Sequence, residues 1–419
     1  MAIIPQQKLF GWEEIEKLSD LERLRLALEN MPDEELMQSL EIERGRGRDD
    51  YPVRAVWNSI LAGVVYQHPS VESLRRELLR NGQLRQMCGI DKEVVPSWVY
   101  SRFLKKLFKK TEEVEAIFDR LVEQAKAMLP GFGEVLAIDG KAIDTHARPR
   151  KQEGEATPDG RRDGSLCEKV KTWFGYKLHL IIEANYELPV AFSLTRASGS
   201  EVPQAHALLT RMETRHPGIL EECKEFLGDK GYDDGKLHVR LWDGKGIKPV
   251  IDIRNHWKDG EKTRLVTGQS NVVYDYRGTV YCHCPATDKE REMAYGGFEK
   301  DRNTLKYRCP ARHYGISCKG LKACPVKGSV RIPLSEDRRI FTPIARSSYR
   351  WKTLYRRRKA VERVNSRLDV SFGFENHFIR GLKKMHLRCS LALSVMLTMA
   401  LGRVKEKQED KLRSLVQAA

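Results

Sequence analysis

Leu136-Ala137-Ile138-Asp139-Gly140-Lys141 and Phe226-Leu227-Gly228-Asp229-Lys230-Gly231-Tyr232 decide the fold. Each is a short apolar run closed by an aspartate and a glycine-containing turn, the pattern of a buried strand. In an open sheet with parallel strands, ligands bind beyond the carboxyl ends of the strands. Both aspartates are therefore expected at that edge, each as the last residue of its strand. An aspartate there can bind a divalent cation while leaving positions open for water and phosphate oxygens. It can equally cap the turn or helix that follows.

Around these runs the spacing predicts strands at 173–182 and 188–195 joined as a hairpin, a helix from Ser200 to Arg215, a helix near 237–242 and a strand at 247–253. Strands interleaved with helices in this order imply a mixed sheet with helices on its faces. The polar stretch Ala147 to Lys169 has no periodicity and is expected to be a loop.

Upstream, residues 12–129 carry apolar residues at spacings of three and four throughout, so the N-terminal part is expected to be all-helical. A helix over 70–84 should precede one opening at Pro96-Ser97. On the latter, Arg102, Lys105, Lys106, Lys109 and Lys110 fall on one face, and Phe103, Leu104, Leu107 and Phe108 on the other. That pairing is similar to a helix-turn-helix, with Arg102, Lys105, Lys106 and Lys109 as candidate DNA contacts. A merely solvated basic face fits the same pattern.

Downstream, the helical period disappears from 254 to 341 and returns over 347–368 and 381–405. The expected organisation is a helical DNA-binding domain (1–130), a first part of the core (131–253), a β-rich insertion (254–341), C-terminal core helices (342–405) and a polar tail (406–419). Five of the nine cysteines, Cys282, Cys284, Cys309, Cys318 and Cys324, fall in the insertion. Their spacing lacks paired C-x2-C hooks. They are nevertheless candidate ligands for a structural zinc, because a segment this polar has few apolar residues with which to fold.

The 419 residues carry 74 Lys/Arg against 58 Asp/Glu, a net charge of +16, which suits a polyanionic partner such as double-stranded DNA. The apolar run 389–401 is too short to span a bilayer, and Met1 to Phe10 has no export-signal pattern. The expectation is a cytoplasmic, nucleoid-associated protein with no membrane partner. The chain contains no G-x4-G-K-[ST], H-E-x-x-H or G-x-S-x-G motif, which removes nucleotide-driven motors and two hydrolase classes. His377 and Arg380 have no tyrosine after them, and no two histidines are separated by a single residue. Tyrosine recombinases and His-hydrophobic-His nucleases drop out as well.

Carboxylates remain. Between Arg338 and Arg367 there are eleven Lys/Arg and a single acid, Glu362. Tyr355, Arg358 and Glu362 stand at i, i+3 and i+7, on one face of a helix. The pattern is consistent with an exposed ion pair, or with a metal-binding carboxylate among arginines that hold phosphates.

The Ile-Asp-Gly strand, the Gly-Asp-Lys-Gly-Tyr-Asp segment at 228–233 and Y-x2-R-x3-E at Tyr355, Arg358 and Glu362 together resemble the DDE transposases of bacterial insertion sequences. The closest resemblance is to the branch with a β-rich insertion before the glutamate, and it covers residues of about 50 to 405. It implies an α/β, ribonuclease H-like core with an N-terminal helical domain. It also implies that Asp139, Asp229 and Glu362 hold two Mg²⁺ (or Mn²⁺) ions, that Tyr355 and Arg358 shape the glutamate helix or contact DNA, and that Arg363 and Arg367 are candidate DNA contacts. Strand cleavage and strand transfer at element ends, by a homodimer on DNA, are the implied activity. One departure stands out: the family often has lysine seven residues after the glutamate, where this chain has Asp369. The competing expectations are a transposase-derived DNA-binding protein and a nuclease without strand transfer.

Overall fold

The computed structural model describes residues 20–45, 50–147, 174–287 and 289–413. Most of the expected 147–169 loop, the chain start and the last residues of the tail lie outside them.

Seven helices precede the first strand among the described residues: α1 (Asp20–Asn30), α2 (Glu34–Arg44), α3 (Val53–Val65), α4 (Val71–Arg80), α5 (Gly82–Cys88), α6 (Ser97–Leu107) and α7 (Thr111–Met128). The single helix expected over 70–84 is two helices. Asn81 is extended and its side chain accepts the N–H of Leu84, so it ends α4 and caps α5. Helix α6 stops at Leu107, which leaves Lys109 and Lys110 beyond its end.

The central sheet contains β1 (Val135–Asp144), β2 (Gly175–Glu183), β3 (Leu188–Arg196), β4 (Glu225–Gly228) and β5 (Lys248–Ile251). Between β3 and β5 lie α8 (Glu201–Arg215), α9 (Pro217–Glu222) and α10 (Gly235–Lys245). The strand order is β3-β2-β1-β4-β5. The β1–β2 and β2–β3 pairs are antiparallel, and β1–β4 and β4–β5 are parallel. The sheet is mixed and the protein is α/β.

Asp139 does not end its strand as the sequence pattern suggests. Strand β1 runs on to Asp144, because β2 supplies antiparallel partners along its whole second half, Asp139 facing Leu180 and Asp144 facing Gly175. The parallel partner β4 pairs β1 only as far as Ala137. Asp139 therefore lies mid-strand, at the level where the parallel part of the sheet finishes.

Residues 263–333 form two antiparallel sheets. The first contains β6 (Thr263–Leu265), β7 (Val272–Asp275), β8 (Val280–His283) and β9 (Glu290–Glu292). The second contains β10 (Ala294–Glu299), β11 (Thr304–Arg308) and β12 (Ser329–Pro333), with the short α11 (Pro310–Tyr314) after β11. They enclose a small core of their own from Ile253 to Ala345, whereas the N-terminal helices, the central sheet and the C-terminal helices share one continuous core.

Three helices close the fold: α12 (Tyr349–Arg356), α13 (Lys359–Phe372) and α14 (Leu382–Lys405). The helix expected over 347–368 is thus broken. Residues 357 and 358 keep right-handed helical dihedrals, but the bonds Arg358 N–H to Tyr355 O and Val361 N–H to Arg358 O are i→i+3 and tighten the chain between α12 and α13. The apolar period runs through this joint, so the sequence gives no sign of it. Helix α14 is long and apolar enough to cross a membrane by length and composition, but it is buried against α1, α7 and β3.

Candidate active site

Side chains alternate across a strand, so Asp139 and Lys141 share one face of β1. That face meets α13. On α13, Glu362, Asn365 and Asp369 stand at i, i+3 and i+7, along one flank of the helix. The Nδ2 of Asn365 lies 3.5 Å from the Oδ2 of Asp139, and the Nζ of Lys141 lies 2.6 Å from the Oδ2 of Asp369. These two contacts stitch the strand to the helix.

Asp229 is the first residue past β4. Its Oδ1 accepts the N–H of Gly231 at 2.8 Å, so it caps the following turn, the structural role the sequence allowed as an alternative. It also acts on Asp139 electrostatically. Burial raises the Asp139 carboxyl to about 6, and the charges of Asp229 and Glu362 push it the same way, against the Gly140 N–H and Arg358, which lower it. Asp229 and Glu362 thus both act on the Asp139 carboxyl. Tyr232, three residues after Asp229, points its buried hydroxyl into the same region with no partner among the described residues. Burial, and then Asp139, Glu201 and Asp229, raise its phenol.

Glu362 is half exposed and tied to Arg358, whose Nη2 donates to its Oε1 at 2.5 Å. The guanidinium of Arg358 lies 5.7 Å from the Tyr355 ring centroid, and that ring stacks on Trp351 at 4.6 Å and 11°. The structure thus brings the expected Tyr355-Arg358-Glu362 constellation together as Trp351-Tyr355-Arg358-Glu362, across the α12–α13 joint.

The fit of a divalent cation depends on these donors. Three carboxylates concentrate negative charge around Asp139, and the Asn365 Oδ1 and Asp369 Oδ1 oxygens are buried without partners among the described residues. An oxygen-rich set of this kind suits a hard cation with water in its shell. No three His, Cys, Asp or Glu groups among the described residues already stand in metal-holding geometry.

Arg363 and Arg367, expected against DNA, are placed against Glu187 in the β2–β3 turn. On α6, Arg102 covers the Trp98 ring at 4.7 Å, Lys106 lies 3.6 Å from Glu43 and Lys105 is exposed, as is Lys109 just past its end. In the insertion, Cys282, Cys284, Cys309, Cys318 and Cys324 line one small cavity of about 20 Å³, with the Cys284 and Cys318 sulfurs 3.9 Å apart. Hydrogen bonds from Thr287 and the Ala286 N–H lower Cys284 to about 7, while burial and then the neighbouring thiols raise Cys282 to about 11. These thiols converge without forming a metal-holding group, so the arrangement gives the expected zinc no support.

Sequence reasoning gave no role to Lys141 or Asn365 and met Asp369 only as a departure from the family pattern. The signal was the spacing: Lys141 two residues after Asp139, and Asn365 and Asp369 three and seven after Glu362.

A family model described as "Transposase DDE domain" matches residues 130–397. No curated protein matches. Among solved structures the chain is similar to a cryo-EM structure of a piggyBac transposase synaptic complex with hairpin DNA, at 13% identity. That match covers 95% of this chain and 85% of the other, with a TM-score of 0.30, too low to bear on the fold.

Proposed function

The chain belongs to the transposase DDE domain family, and from that membership we propose that it binds the ends of an insertion sequence as a homodimer, cuts them and joins them to target DNA. The observation that carries the reading is that Asp139, at the level where the parallel strands end, is acted on by both Asp229 and Glu362 and is linked to α13 through Asn365. The order β3-β2-β1-β4-β5, antiparallel on one side of β1 and parallel on the other, supports a ribonuclease H-like core.

In this reading Asp139, Asp229 and Glu362 hold Mg²⁺ or Mn²⁺. When bound, the ions supply Lewis-acid charge for activating water and for the leaving 3′ oxygen. The chain's own groups do the rest. Asn365 and the Lys141–Asp369 pair fix α13 against β1, so that Glu362 is presented beside Asp139. Arg358 lies between Glu362 and the Tyr355 ring, where it can exchange the carboxylate for a phosphate oxygen. In the first step water attacks phosphorus, the P–O3′ bond breaks and a 3′-OH is released. In the second that hydroxyl attacks a target phosphodiester and the target's own 3′ oxygen leaves. The exposed cations on α6 and just past its end, Arg102, Lys105 and Lys109, would grip the duplex away from the reacting phosphate.

The DNA flanking the gene supplies the test. Inverted terminal repeats found there, placed on a labelled duplex with Mg²⁺, should give 3′-OH ends and then joined products. Cleavage without joining would leave a nuclease, and binding without cleavage a transposase-derived DNA-binding protein.

A further inference from the structure

Helix α13 sits on the sheet through an apolar stripe of Val361, Val364, Leu368 and Phe372, all buried. A stripe of this kind fixes depth better than roll. At 100° per residue, Glu362, Asn365 and Asp369 lie on one flank of the stripe, and Arg363 and Arg367 lie roughly 150° around the helix on the other. The first flank is stitched to β1 by Asn365 and Asp369. The second meets a single buried acid.

That acid is Glu187, 2% exposed and held with φ +58 in the turn between β2 and β3. A non-glycine residue in the left-handed region needs support from its surroundings. Arg363 Nη2 lies 2.7 Å from its Oε1, Arg367 pairs with its Oε2, and Arg367 Nη1 also donates to the Glu187 carbonyl at 3.2 Å. The same turn holds the chain just before α13, where Arg357 donates to the side-chain oxygen of Asn185. Arg413 also approaches, its Nε 3.7 Å from Oε1.

We propose that Glu187 is a positioning residue: its paired contacts with Arg363 and Arg367 set the roll of α13 and thereby place Glu362 beside Asp139. This rests on the reading of Glu362 as part of the reacting site. With side chains reaching about 5 to 6 Å from a helix axis, a roll of roughly 10° moves a carboxylate by about 1 Å. A misplacement of that size costs on the order of 100-fold in rate. The basic run at 338–367 is thus partly internal, with two of its arginines serving the helix.

The test compares Glu187→Gln, Glu187→Asp and Arg363→Gln with the unaltered full-length chain. Arg363 is half exposed, so its variant folds even if those at the buried Glu187 do not. Three readouts are taken: hydrogen exchange of the 359–372 amides, Mn²⁺ affinity measured by titration without DNA, and cleavage at saturating DNA. Glu187→Gln is expected to speed exchange in α13, weaken Mn²⁺ binding about 10-fold or more, and lower kcat by on the order of 100-fold with KM for DNA nearly unchanged. Glu187→Asp should recover most of the Mn²⁺ affinity, and Arg363→Gln should follow Glu187→Gln to a smaller degree. If Arg363 instead serves DNA, its variant raises KM and leaves Mn²⁺ binding intact, which overturns the proposal. Should the unaltered chain bind no Mn²⁺ and cut no DNA, the reading of the site fails. The positioning role then stands or falls on exchange in α13 alone, and unchanged exchange in Glu187→Gln and Arg363→Gln refutes it.

Discussion

The Nζ of Lys141 lies 2.6 Å from the Oδ2 of Asp369, joining the strand two residues past Asp139 to the helix seven residues past Glu362. The acid at 369, a departure from the usual family pattern, is answered by a lysine from the strand. Both side chains are largely shielded, at 12% and 24% exposure. Breaking the pair from either side should therefore cost more than an exposed ion pair, about 1 to 3 kcal/mol. Lys141→Met and Asp369→Asn, with the double variant, form a cycle measured by denaturant unfolding. The double variant is expected to lose clearly less than the sum of the singles, and additivity would mean the pair does not couple.

The Asp139 carboxyl titrates near 6, above its ordinary 3.8, because burial and neighbouring acids oppose its charge. The folded state thus binds this proton more tightly than the unfolded chain. Its charge costs no stability below about pH 4, an increasing amount between 4 and 6, and the full amount above, roughly 3 kcal/mol. Without divalent metal, Asp139→Asn should melt higher than the unaltered chain at pH 8, and the difference should disappear by about pH 4. A variant that melts lower at pH 8 would show that the carboxylate is not under this strain.

The stack of Tyr355 on Trp351 rests on the ring, with Arg358 over it, while the Tyr355 hydroxyl also has a side-chain hydrogen bond with Arg358. Tyr355→Phe should keep cleavage within about threefold, whereas Tyr355→Ala should lose about 1 to 2 kcal/mol of stability and loosen Arg358. Thermal melting and cleavage rates of the two variants decide this. Equal losses in both would mean the phenol oxygen matters.

On α6 and just past its end, Arg102, Lys105 and Lys109 are exposed while Lys106 faces Glu43. Neutralising the first three should weaken DNA binding and flatten its salt dependence by about 0.9 in log–log slope for each phosphate that is no longer neutralised. Lys106→Ala should change the slope least. An unaltered slope in the triple variant would make this face merely solvated.

The parts of the fold legible in the sequence were those set by local period. Apolar runs around Ile138 and Leu227 marked β1 and β4, and the lone acid in a basic stretch marked Glu362. Hidden were features set by partners distant in the chain. Asp139 lies mid-strand because β2 continues the ladder past it, and no property of residues 140–144 announces that neighbour. Glu187 looked like a turn residue because its three arginines come from 363, 367 and 413. The pairing of Arg363 and Arg367 with Glu187 is hidden for the same reason: a charge run in sequence does not show which of its cations meet an acid within the fold.

The most direct measurement of the central claim is Mg²⁺-dependent cleavage of an end-containing duplex by Asp139→Asn, Asp229→Asn and Glu362→Gln, beside DNA binding by the same proteins. The account expects each single change to lower cleavage by at least about 1,000-fold, as loss of one member of a jointly acting set does, while DNA affinity stays within a few fold. Near-normal cleavage by any one of the three would contradict it.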